Sequence, residues 1–170
     1  DDNLNTSQFV IFDVDNSLVN PLGPRYQGYD IEAMAIDPKT HRIYAASGND
    51  VGPGKLKGHL FAVDAHNGVL VSIGHTGFEE VNSLAFTREG TLYGWAKGKG
   101  LITLDTQTGK GKVELASDIE VEDLTLSQAE GTVFYGVAQQ AVWQYTQATG
   151  ELQVVCDNLP GKKVEALTML

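Results

Sequence analysis

Four side chains at one register of an internal alignment have the makings of a cation site. Glu32, Asn82, Glu122 and Glu165 each stand two places before an apolar residue: Met34, Leu84, Leu124 and Leu167. Carboxylates held close together repel, so one must take up a proton or a cation must join them. Oxygen-only donors of this kind suit Ca2+ or Mg2+. If the four converge, the sequence therefore predicts a bound Ca2+. In the alternative reading, each side chain bonds the backbone of the neighbouring repeat and sets the spacing between repeats.

Two other segments carry candidate ligand-binding residues. The loop GNDVGPGKLKGH (48–59) is longer than its counterparts elsewhere in the chain. Long loops on a rigid scaffold often carry binding. Asn49 and Asp50 would ligate a cation there, or Lys55 and Lys57 an anion. In GWAKGKG (94–100), Trp95 stands beside Lys97 and Lys99 and would stack on a sugar or an aromatic side chain; packing inside the fold is the competing role. His41, His59, His66 and His75 lack the spacing of a zinc site. The single cysteine, Cys156, reads as a buried apolar residue. No glycine-rich phosphate loop and no GxSxG elbow is present, and no catalytic residue is assigned.

These candidates share a register because the chain repeats. DIEAMAID (30–37), EVNSLAFT (80–87), EVEDLTLS (120–127) and KVEALTML (163–170) align with apolar residues at alternate positions, the period of a strand. The first three lead through short turns into RIYAASG (42–48), TLYGWAK (91–97) and TVFYGVA (132–138). Third strands follow at 59–65, 100–106 and 141–147. The glycine-ended turns AHNG, TQTG and QATG then open a fourth strand, a strong hairpin signal. Near the N-terminus, FVIFDVD (9–15) and SLVNPLG (17–23) match only the last two strands. Asp15, Asp64 and Asp105 are expected to end third strands and bond the turn backbone.

Four-stranded antiparallel units repeating in register predict an all-β fold, a β-propeller or part of one. A sandwich gives short alternating strands too, but has no reason to repeat one four-strand pattern. The chain reads as a single domain over 1–170. Its complete blades fall at about 30–76, 80–117 and 120–158, and an incomplete, split blade pairs 9–23 with 163–170. An open arc leaves apolar blade faces exposed. Self-association, or a missing remainder of the propeller, is therefore expected to fill the ring.

The balance of 12 basic against 22 acidic residues, net −10, argues against nucleic acid as a partner and against anionic lipid. No apolar run approaches the ~18 residues of a membrane span, so membrane insertion is not expected. The low cysteine count fits the cytosol, the periplasm or a bacterial exterior.

The unit IEAMAIDPKTHRIYAASG…GHLFAVDAHNGVLVSIG resembles blades of bacterial extracytoplasmic propellers, the broad class of NHL-like and gluconolactonase-like repeats. Neither a WD dipeptide nor a Kelch di-glycine stands at the expected points. The resemblance implies an extracellular or periplasmic location. In gluconolactonase-like members it implies a calcium held by Glu, Asn and Asp near the channel, but the chain shows no matching general-base motif. The expected function is a non-enzymatic binding or scaffold module of a bacterial secreted or surface protein, taking a protein or carbohydrate ligand. The alternatives are a Ca2+-dependent lactonase or esterase and a self-assembling half-propeller with a structural role.

Overall fold

A computed structural model describes residues 5–127, 132–160, 164 and 167. Among these the chain forms strands and turns only. Apolar residues, many of them β-branched or aromatic, recur along the strands, and glycines close the turns. Gly68, Gly109 and Gly150 take φ of 65°, 79° and 70°, the left-handed values that the predicted hairpin turns require.

Blade one comprises β3 (Ile31–Ile36), β4 (Ile43–Ser47), β5 (His59–Val63) and β6 (Leu70–His75). Blade two comprises β7 (Val81–Phe86), β8 (Leu92–Ala96), β9 (Gly100–Leu104) and β10 (Gly111–Ala116). Blade three comprises β11 (Asp123–Ser127), β12 (Val133–Ala138), β13 (Ala141–Thr146) and β14 (Glu151–Cys156). Each is a meander of four antiparallel strands in sequence order. They are preceded by a two-stranded hairpin of β1 (Thr6–Asp13) and β2 (Leu18–Gln27). The first strands are neighbours: β7 lies against β3 and β4 on one side and against β11 on the other.

The core lies between blades. Tyr44, Leu60, Val81, Leu84 and Ile102 join blade one to blade two. Tyr93, Trp95, Leu101, Val121, Leu124 and Phe134 join blade two to blade three. The aligned tyrosines both reach across: Tyr44 sits 5.4 Å from the Phe86 ring and Tyr93 4.7 Å from the Phe134 ring.

The outer strands of the hairpin and of blade one each approach the last turn of the blade that follows. A Cβ on Gly74 would lie 2.1 Å from the Thr108 carbonyl, and one on Gly23 would lie 2.0 Å from that of Asn67. The hairpin therefore rests on blade one much as blade one rests on blade two. Tyr26 pins it, donating to the Gly68 carbonyl at 2.7 Å and accepting from the Leu70 amide at 2.8 Å.

The strand boundaries match the expected ones closely in the three complete blades. They differ in the hairpin, where β1 ends at Asp13 rather than Asp15. Asp13 bonds the turn, accepting from the Asn16 amide at 3.1 Å and its side chain at 2.9 Å. Asp64 and Asp105 do so as expected, accepting from the amides of His66 and Gln107. Cys156 is exposed on β14, not buried. Of the segment 163–170, only Val164 and Leu167 are among the described residues. Their amides donate to the Gln139 carbonyl at 3.4 Å and to Asp123 Oδ2 at 2.8 Å.

Candidate functional site

The first strands of the three blades bring their opening residues together at one end of the arc. Glu32 lies on β3 and Asn82 on β7, while Glu122 stands just before β11. Glu165 is outside the described residues. Asp30 and Glu80, two places earlier in the repeat than Glu32 and Asn82, are buried and belong to the same site. The same alignment carries that signal, in the aligned acids Asp30, Glu80 and Glu120.

Asp30 sits with φ of 52°. Its Oδ1 accepts from Asn5 Nδ2 at 2.8 Å and its Oδ2 from the Asp50 amide at 2.8 Å. Glu80 accepts from Lys97 Nζ at 3.0 Å on one oxygen and from Asn49 Nδ2 on the other. Asn49 and Asp50, expected as cation ligands, thus hold the mouth's own acids: Asn49 bridges blade one to blade two, and Asp50 Oδ2 accepts a second bond from Asn5 at 3.0 Å.

Gly48 makes room for two carboxyl groups. A Cβ there would lie 2.5 Å from Asp30 Oδ2 and 2.8 Å from Glu32 Oε1. The Glu32 carboxyl is pushed up to about 7, first by desolvation, then by the charges of Asp30 and Glu80, with Glu122 adding to them and Lys97 opposing. The Lys97 ammonium is held above its ordinary value, chiefly by its hydrogen bond to Glu80.

Asn82 reaches into the next blade, donating to the Val121 carbonyl at 3.4 Å. Its Oδ1 is buried with no hydrogen-bond partner, a costly state for a polar atom. The first strands thus carry one raised carboxyl, on Glu32, and one buried, unsatisfied carbonyl oxygen, on Asn82. Among the described residues, no three His, Cys, Asp or Glu side chains come together closely enough to hold a metal ion. Charge crowding exists without a completed ligand shell.

Trp95 pairs with Ser83 on β7 but does not face solvent. It is 3% exposed and packs between blades two and three. Its indole Nε1 donates to the Ile119 carbonyl at 2.8 Å, so the ring face expected to stack on a ligand is buried.

No protein-family profile matches the chain, and no curated protein matches it in sequence. Solved structures do. A Bacteroides thetaiotaomicron protein of unknown function superposes with a TM-score of 0.66 at 10% identity, over 92% of this chain and 44% of that one. A gluconolactonase from Xanthomonas campestris gives 0.54 at 16%, over 82% and 42%. The extracellular domain of a hybrid two-component system from B. thetaiotaomicron gives 0.50 at 15%, over 76% and 17%. The chain therefore spans less than half the length of each. Identities this low speak to architecture alone, and with the repeated four-stranded meanders they make the chain a β-propeller fold of about three blades.

Proposed function

We propose that the chain is a non-enzymatic binding or scaffold module of a bacterial propeller protein working outside the cytoplasm, and that its channel mouth accepts a divalent cation. The supporting observation is the field at the mouth: desolvation and neighbouring carboxylates lift Glu32 to about 7. A cation there would relieve that repulsion and give Asn82 Oδ1 a partner. Oxygen donors favour Ca2+ among the common ions, and ring completion would bring further donors to the axis.

The test is a thermal melt of the 170-residue chain with millimolar CaCl2 and with chelator, at pH 5.5 and pH 8. A cation competes with the Glu32 proton, so the calcium-induced rise in Tm is larger at pH 8 and shrinks in Glu32→Gln. A Tm unchanged by calcium and chelator at both pH values removes the cation from the proposal.

A further inference from the structure

Blade one differs from its sister blades in the connection between its second and third strands. In blade two residues 97–99 make this link and in blade three residues 139–140, whereas in blade one it runs from 48 to 58. The insertion is tied down. Ser47, fully buried, donates its hydroxyl to the Leu56 carbonyl at 2.6 Å and accepts from the His59 amide at 3.0 Å. The Gly52 amide donates to the Gly28 carbonyl at 2.9 Å, and the Gly58 amide to that of Gly48 at 3.1 Å. Gly58 in turn has φ of 53° and lies so close to the Phe78 carbonyl that a Cβ would sit 1.7 Å from it.

Held this way, the insertion forms one wall of an open pocket of about 280 Å³ against blade one, near the small end of ligand pockets. Its walls are Tyr29, Leu56, Phe61 and Leu70, with Lys55 and Ser72 as the polar side chains. Lys55 is the only charged residue on the wall, and among the described residues it has no carboxylate partner. Its ammonium lies 4.6 Å above the Tyr29 ring. Ser72 Oγ is 2.7 Å from Nε2 of the buried His59. Burial lowers the His59 pKa, with His75 adding to it, which favours the neutral imidazole. In the tautomer that donates Nε2–H to Ser72, the Ser72 hydroxyl proton remains available to a ligand.

We propose that this pocket binds a small carboxylate with an aromatic or apolar body, its charge met by Lys55 and Ser72 and its body by Tyr29, Phe61, Leu56 and Leu70. A cation without a carboxylate partner, on a wall whose only other polar side chain is Ser72, favours an anion over a neutral ligand. The site lies at the edge of blade one, outside the acidic mouth, and does not depend on a cation there.

Sodium benzoate is the probe and benzamide its neutral counterpart, titrated into the 15N-labelled chain at pH 7 with amide shifts followed by NMR. Benzoate is expected to shift the amides of Lys55, Phe61 and Ser72 with a millimolar Kd, and benzamide to bind at least fivefold more weakly. Lys55→Met weakens benzoate about tenfold and Ser72→Ala about threefold, while Lys112→Met on β10 leaves it unchanged; matched melts of the variants check that they fold. The proposal is overturned if benzoate shifts none of these amides at 20 mM, if benzamide binds equally well, or if Lys55→Met binds benzoate as the parent does.

Discussion

Blade two and the N-terminal hairpin are written in the same alternating code, yet they end in opposite surroundings. Every residue of β8 is buried, because blade two has a blade on each side. In the hairpin, Phe12 pairs with Val19 and Val10 with Pro21 across the strands. By the alternation of side chains in a strand, these point to the face opposite Phe9 and Ile11. Val10, Phe12 and Val19 are 52%, 57% and 59% exposed. An apolar strand face becomes core only when a neighbour covers it, and a single sheet cannot supply both sides. The seams of the arc thus hold its stability, while the hairpin holds a surface suited to further sheet.

The sharpest way to break this contrast is to empty a seam. Leu101 is fully buried between blades two and three, and Leu101→Ala is expected to cost about 2–5 kcal/mol, read by urea denaturation. A loss below ~1 kcal/mol would mean the seam is not where stability resides. Crowding at the edge of blade two gives the next effect. Gly58 and Gly54 both have positive φ, but only Gly58 has backbone in the space a Cβ would take. Gly58→Ala should cost more than ~1 kcal/mol and exceed Gly54→Ala; equal losses would assign the effect to φ alone.

Glu32 tests the open side of blade one by titration, since it lines the groove beside the hairpin with Met34. Its folded pKa, about 7, stands above the ordinary 4.5, so the folded chain holds more protons than the unfolded chain between those values. Stability contributed by this group is full below pH 4.5 and falls as pH rises toward 7. Melts from pH 4 to 8 should show that fall, reduced in Glu32→Gln, with the two proteins converging at the acidic end; parallel curves would remove Glu32 as the cause. The smallest effect belongs to the hairpin. Phe12→Ser should change stability by no more than ~0.5 kcal/mol while lowering any self-association seen by light scattering. A loss as large as that of Leu101→Ala would show that something covers Phe12 in solution.

The blades were legible in the sequence because strand period, turn glycines and repeat spacing are local. Gly68, Gly109 and Gly150 mark turns whatever lies around them. The hairpin's turn is ambiguous by two residues in the sequence because FVIFDVDN offers two aspartates, and only strand pairing selects Asp13. The candidate site was half legible. Register alone aligns Glu32, Asn82 and Glu122, but that the acids Asp30 and Glu80 are buried beside them is visible only in the fold. So is the use of Asn49 and Asp50 as hydrogen-bond donors to those acids, since these contacts join residues 20 to 31 positions apart.

By itself, then, the sequence determined an all-β chain of repeated four-stranded units and the register of their first strands, because alternation and turn chemistry act within a few residues. Tertiary structure alone decided which face of each strand is core. It decided that Trp95 is sealed between blades while Phe12 meets solvent, that Glu32 feels three other acids, and that the 48–58 insertion lines a pocket with Tyr29 and Phe61. Burial and electric fields are properties of neighbours in space, and the blade that supplies a neighbour lies about 40 residues away along the chain.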